Sequence, residues 1–280
     1  MSRAPRSRQV ASCEIAGGAN VRLAQAGVGT IRMQCLHRAV FCLAMGYLNQ
    51  FFTECHEIVG GFTEKSVLVA GCGPGLDCIP FVEGGAAVTG LDIGDDMGVA
   101  YSNPSVRYHR ASIEGCDLDA AQYDVVFCIA TMEHVHNIEA AYLEMVRLVR
   151  PGGTIYALAA PLWNSRQGHH LECLYSFPWI HLRRTAKQIA AFGDERGITH
   201  NGMALRDVVD WLFTSTYFNR APSKRYVEAC AFLPVSRILR NDLWMDGAED
   251  LTAAVLSELA VKGYTPEELL ATSHRLIAVK

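Results

Sequence analysis

Three glycines and one aspartate carry the clearest chemistry in the chain. Gly71, Gly73 and Gly75 stand in VLVAGCGPGLD, after a strand-like apolar run and before a helix. Glycines at such a turn let a ligand approach the backbone closely, and free amides at a helix start favour a carboxylate or phosphate. Asp92 stands 17 residues beyond Gly75 in TGLDIG, at the end of the next apolar run. A carboxylate there can accept both hydroxyls of a ribose. A second concentration of reactive groups lies in PLWNSRQGHHLECLYSFPWIHL, residues 161–182, with Trp163, His169, His170, Glu172, Trp179 and His181. Imidazole, with an ordinary pKa near 6.5, suits proton removal at neutral pH. Adjacent residues of a regular element cannot both face one point, so one of His169 and His170 is expected to act as general base and the other to support it. If neither serves, His181 and Glu172 come next. The spacing H-H-x-x-C, ending at Cys173, matches no zinc pattern, and no metal is expected. Glu133 and His134, after a later apolar run, read as the start of a helix.

These groups need a scaffold. SVLVA at 66–70, AAVTGLD at 86–92, VRYHR at 106–110, YDVVFCIA at 123–130 and TIYALAA at 154–160 read as strands, mostly buried and parallel. Between the last two, Ile138, Ala141, Tyr142, Met145 and Val149 fall on one helical face, with Glu139, Glu144, Arg147 and Arg150 pointing elsewhere. Pro151-Gly152-Gly153 is expected to end that helix. Another helix is expected from Thr30 to about Ile58, and alternation of the two element types implies helices on both faces of the sheet. After Pro161 the alternation stops. Helices are expected in ALRDVVDWLFTSTYF and EDLTAAVLSELAVKG, and HRLIAVK closes the chain as a strand. The fold class is therefore α/β, a doubly wound, mostly parallel sheet with a helical or irregular insertion before its last strand. The expected divisions are a mobile arm at 1–29, a core with its N-terminal helix at 30–160, an insertion covering the substrate at 161–245, and the last helix and closing strand at 246–280.

Spacing narrows the ligand. A dinucleotide fingerprint needs glycine where Leu76 stands, and a P-loop needs a G-K-[ST] that is absent. The G-x-G-x-G form with proline inside, followed by Asp92, resembles motif I and its acidic partner in class I S-adenosylmethionine-dependent methyltransferases. ASIE at 111–114, YDVVFCIATMEHV and LVRPGG extend the resemblance over about residues 64–160. It implies a Rossmann-like fold with S-adenosylmethionine as cofactor, held by Gly71, Cys72, Gly73, Gly75, Asp92, Ile93, Ser112, Ile113 and Ile129. Two positions depart from the family pattern: an acid is common where Val69 stands, and an aspartate where Ser112 stands. The pattern P-x-W, G-H-H, P-W-x-H-L is similar to that of a subset of methyltransferases of cell-surface and secondary metabolism. The implied activity is O-methylation of a small molecule, a sugar or secondary metabolite, with a histidine base. N-methylation, a protein acceptor and a degenerate cofactor-binding scaffold are the alternatives.

Composition sets the outer limits. Half of the 280 residues are hydrophobic and 19% are charged, which opposes disorder. A formal net charge of −4 gives no strongly basic footprint, and IATM stands where amino-group nucleic-acid methyltransferases carry [DNS]-P-P-[YF]. A small-molecule acceptor and no nucleic acid are therefore expected. No run of eighteen apolar residues exists, so no membrane span is expected. Ten cysteines without a CxxC pair read as reduced thiols of a cytoplasmic protein. A homodimer stays open. Arg183, Arg184, Arg220, Lys224 and Arg225 are candidates for an anionic substrate, against the plainer reading of a solvated surface.

Overall fold

The computed structural model describes residues 49–280. The arm expected at 1–29, and the expected helix as far as residue 48, lie outside the described residues. The chain divides at Glu54/Cys55, and the architecture below is that of the second unit. Residues 49–59 are helical (α1).

Seven strands form one sheet in the order β3-β2-β1-β4-β5-β9-β8. They are β1 Ser66–Ala70, β2 Ala87–Asp92, β3 Val106–Arg110, β4 Tyr123–Ile129, β5 Val149–Ala159, β8 Arg237–Met245 and β9 Ala271–Val279, while β6 Thr199–His200 and β7 Met203–Ala204 pair with each other in a separate two-stranded sheet. The first five are parallel to one another, and β9 runs antiparallel to both of its neighbours. Val67, Leu68, Val125 and Val126 are fully buried, as continuous apolar strands between two layers must be. Strand order reverses between β1 and β4. At such a switch point the loops leaving the two strands diverge, and a crevice opens at their carboxyl ends.

The helices are α2 Ile79–Glu83, α3 Ile138–Leu148, α4 Ile180–Arg183, α5 Ala186–Arg196, α6 Leu205–Thr214, α7 Ser223–Cys230, α8 Ala253–Ala260 and α9 Pro266–Leu270. In α3 the Asn137 side chain accepts the Ala140 N–H and caps the helix, a bond worth about 1 kcal/mol. Ile138, Ala141, Tyr142 and Met145 face the sheet as expected. Glu144 does not point to solvent. It is buried, accepts the Cys116 N–H at 2.9 Å, and pairs with Arg147 at 2.7 Å. The Arg147 guanidinium holds its carboxyl down to about 2. The helix also ends sooner than its glycines suggest. Val149 is already extended, and Pro151-Gly152-Gly153 lies within β5.

The expected insertion at 161–245 overruns into the sheet, because Arg237–Met245 is the edge strand β8. An edge strand with Arg237, Arg240, Asn241 and Asp242 lacks the apolar alternation that marks an interior one. The segment before it has a core of its own, in which Trp163, Leu171, Leu174, Trp179, Ile189, Leu205, Val209 and Leu212 pack with Leu259 and Leu269. The sequence showed α6 and α8 but not α5 or α7. Thr185 and Gln188 close a capping box at the start of α5.

Candidate active site

The glycine loop leaves β1 at the switch point. Gly71, Gly73 and Gly75 all have positive φ, at 73°, 45° and 102°. At Gly71 a Cβ would lie 1.9 Å from Thr131 Oγ1, so this glycine lets the loops after β1 and β4 touch. At Gly75 a Cβ would meet Tyr108 Oη at 2.7 Å and the Tyr101 carbonyl at 3.0 Å. Gly73 differs, since a Cβ there would meet nothing within 4 Å. Its face is open to a ligand. Asp92, at the end of β2, accepts the Gly73 N–H on Oδ2 and the Gly94 N–H on Oδ1, each at 2.8 Å. A carboxylate has about four acceptor positions, so both oxygens keep a lone pair for hydroxyls. Next to it Ile93 is 69% exposed, an apolar surface at the rim. Ser112 Oγ accepts the Glu114 N–H at 3.1 Å, and Ile113 beneath it is buried. Cys72 and Ile129 are buried.

The other side of the crevice is built by the loop after β4 and by two pieces of the segment beyond β5. Glu133 is only 2% exposed. Its Oε2 accepts the Ala160 N–H at 3.3 Å, and its Oε1 has no hydrogen-bond partner. His134 Nε2 lies 3.7 Å from that oxygen and His170 Nε2 lies 3.8 Å from it. Each ring is turned by a backbone carbonyl. His134 Nδ1–H donates to Tyr217 O at 3.1 Å, and His170 Nδ1–H donates to Gly168 O at 2.9 Å. The Nε2 atoms of both rings are therefore turned toward Glu133. Asn219 clamps this loop, donating from Nδ2 to the carbonyls of Met132 and Val135 and from its own N–H to that of Glu133. Tyr217 and Phe218 wall the histidines, at 4.2 Å and 5.0 Å from the His134 ring, with Phe218 4.6 Å from His170. Burial among them holds the His134 pKa below its ordinary value.

His169 and His170, adjacent in sequence, have different surroundings. His169 is 1% exposed, and its Nδ1 already accepts the Leu171 N–H at 3.0 Å. Burial, with His181 and His170 close by, pushes its pKa down to about 2. His170 is half-buried and held at φ 57°, a left-handed conformation costly for a side chain of this size. Gly168 permits the turn, since a Cβ there would lie 2.1 Å from the Trp163 carbonyl. His181 is buried and donates from Nε2 to Trp163 O at 2.6 Å, with its pKa pushed down to about 4 by burial. Glu172 is exposed. Of the arginines considered for an anionic substrate, Arg183 and Arg184 pair with Glu258, and Arg225 pairs with Glu139. Arg220 donates to the carbonyls of Leu212, Phe213 and Ser215, with its guanidinium over Trp163.

A methyltransferase-domain family matches residues 68–157, the span from β1 through β5 that carries the glycine loop, Asp92, Glu133 and His134. Residues 68–157 form a class I S-adenosylmethionine-dependent methyltransferase domain. Curated relatives of this domain include the ubiquinone biosynthesis O-methyltransferases of Nitrosomonas europaea, 33% identical over 107 residues covering 36% of this chain and 46% of that protein, and of Escherichia fergusonii, 35% identical over 128 residues covering 43% and 50%. The chain spans about half the length of these relatives. A solved structure from Listeria monocytogenes, assigned as an S-adenosylmethionine-dependent methyltransferase, superposes with a TM-score of 0.50 at 17% identity, covering 82% of this chain and 97% of that one. That likeness is one of fold.

The methyltransferase domain takes S-adenosylmethionine as cofactor, and the crevice fits it. Gly73 presents an open face, and the Asp92 oxygens keep free lone pairs beside it. Val69, where the family often carries an acid, is a buried strand residue paired with Gly90 and Phe127. Glu133 and His134, expected to start the next helix, instead lie in the turn before it, since that helix begins at Ile138 behind its cap Asn137. Tyr217 and Asn219 carried no local signal in the sequence.

Proposed function

We propose that the chain methylates a hydroxyl oxygen of a small molecule, held between the glycine loop and the pocket of Glu133, His134 and His170. The observation that carries this reading is the pair of Nε2 atoms turned toward a buried carboxylate oxygen without a partner, beside the cofactor crevice. Bound in that crevice, S-adenosylmethionine supplies an electrophilic methyl group. An aliphatic hydroxyl must lose its proton as the new C–O bond forms, and a base within hydrogen-bond reach assists by roughly 10²–10⁴-fold. His170 is that base, its Nδ1–H fixed on Gly168 O so that Nε2 accepts. Glu133 stabilises the imidazolium so formed, and His134 offers a second acceptor to the hydroxyl. His169 serves as the support behind the turn. Phe218, Tyr217 and Trp163 exclude water and give the acceptor an apolar wall. The segment after β5 that supplies His170, Tyr217 and Phe218 is the cover of the methyl end.

The ubiquinone-pathway relatives are O-methyltransferases by name, which supports oxygen over nitrogen as the methylated atom. The test combines calorimetry of S-adenosylmethionine binding with a methyl-transfer screen of phenols, sugars and amines. Cofactor binding with transfer to hydroxyls is expected. Transfer confined to amines would overturn the choice of oxygen, and cofactor binding without transfer to any class would favour a scaffold.

A further inference from the structure

Among the described residues, Glu133, His134 and His170 bring one carboxylate oxygen and two imidazole nitrogens within 4.8 Å of one another. The arrangement has more acceptors than a proton-transfer dyad needs. Oε1 of Glu133 and Nε2 of His170 are buried without partners, and with each Nδ1 donating to a carbonyl, Tyr217 O or Gly168 O, the Nε2 of each ring is the nitrogen left to take a ligand. Three such atoms facing one another in a half-buried pocket call for a cation. The outer contacts match those of a metal centre, where a ligating histidine donates its other N–H to a carbonyl and a ligating carboxylate is itself hydrogen-bonded. Here His134 and His170 each donate Nδ1–H to a carbonyl, and Oε2 of Glu133 takes the Ala160 N–H.

We propose that Glu133, His134 and His170 bind one divalent cation of intermediate softness, such as Zn²⁺ or Mn²⁺, and that its open position takes the acceptor oxygen. Two imidazoles and one carboxylate form the donor set of catalytic zinc sites that keep a fourth position free. Bonds of about 2.1 Å at tetrahedral angles would put the ligand atoms about 3.4 Å apart, so the two carboxylate–imidazole pairs, at 3.7 and 3.8 Å, need close by a few tenths of an ångström, and the two imidazole nitrogens must reach the same spacing from within 4.8 Å. The inference rests on the reading of this pocket as the acceptor site. With the ion present His170 holds metal rather than taking the proton. A hydroxyl held by the ion would be acidified and would give up its proton to solvent as it binds, before the aromatic wall shuts water out. The C–O bond forms from the remaining lone pair as the methyl group leaves sulfur, which keeps the electron pair of the broken S–C bond.

Metal-freed protein, titrated with Zn²⁺, Mn²⁺ and Co²⁺ in the absence of cofactor and acceptor, separates this proposal from the methyl-transfer reading. One equivalent of ion should bind. The Co²⁺ form should show visible d–d absorption without the intense near-ultraviolet thiolate band that the free cysteines would give. His134→Ala and His170→Ala should each lower the affinity by at least about 10-fold, since loss of even an outer-shell partner costs about 10–100-fold. Glu133→Gln, which preserves shape, should do the same if the alanine variants fail to fold. His200→Ala, beside Cys173, should leave the titration unchanged. Absence of stoichiometric binding to wild-type protein, a thiolate signature, or affinity unchanged in Glu133→Gln would overturn the site, whether or not S-adenosylmethionine binds.

Discussion

The loops after β1 and β4 lie against each other, as the Gly71–Thr131 contact shows, and they differ in how their polar atoms are satisfied. In the first, Asp92 accepts two backbone amides and the glycine turn bonds back to β2 through Gly71 N and Cys72 N on Leu91 O. The loop is complete before any ligand arrives. In the second, the buried Glu133 Oε1 has no partner, and the segment after β5 brings against it His170, whose Nε2 is also without a partner and whose backbone is held at positive φ. Unpaired buried groups of this kind cost free energy and persist where a ligand or reaction uses them. The first region is preorganised to bind, and the second is left chemically unsatisfied.

The largest effect that could break this comparison is kinetic. His170→Ala should lower single-turnover methyl transfer to an alcohol by at least about 10²-fold with cofactor affinity nearly unchanged. His169→Ala should instead cost stability, on the order of 2–4 kcal/mol for a buried side chain, with the folded fraction keeping a rate near wild type. Equal rate losses with equal stability would erase the distinction between the two histidines.

Next in size is the nucleoside end. Asp92→Ala should weaken S-adenosylmethionine binding by about 1–3 kcal/mol in calorimetry, as expected for lost hydrogen bonds to ribose hydroxyls. An unchanged affinity in a folded variant would remove Asp92 from the site.

Acid should unfold the protein through buried rings. Burial depresses His169 to about 2, and His181 and His274 to about 4, in the folded state. All three lie below the unfolded value of about 6.5, so the unfolded chain binds more protons and stability falls as pH drops. The contribution is complete above about pH 6.5 and is lost progressively toward pH 4 and below. Urea midpoints at pH 7.5, 5.5 and 4.5 should decrease in that order, and a flat series would contradict the burial of these rings. The smallest effect expected is at Asn137→Ala, about 1 kcal/mol from loss of the α3 cap, measured by the same denaturation.

The two regions were unequally legible in the sequence. Strand, glycine turn, strand and acid lie within residues 66–92, so local pattern was enough to place β1, β2, the loop and Asp92. The pocket of Glu133, His134 and His170 is assembled from residues 133–134, 168–170 and 217–219, and no local rule links such distant segments. Trp163 and His181 owed their sequence prominence to the same cluster but turned out to build the wall and the packing behind it. Strand β8 escaped because an edge strand can carry Arg237, Arg240 and Asp242 without burying them. Glu144 escaped because helical periodicity marks a carboxylate as polar and cannot show that Arg147 and the Cys116 amide satisfy it inside.

The central claim is that the unsatisfied pocket faces the transferable methyl group. A crystal structure with bound S-adenosylhomocysteine tests it most directly. The account predicts the ribose hydroxyls on Asp92, the amino-acid end against the glycine loop, and the sulfur directed toward Glu133, His134 and His170, leaving room for an acceptor oxygen about 3–3.5 Å from the methyl position. A sulfur directed away from these three side chains, or a product bound elsewhere on the sheet, would contradict it.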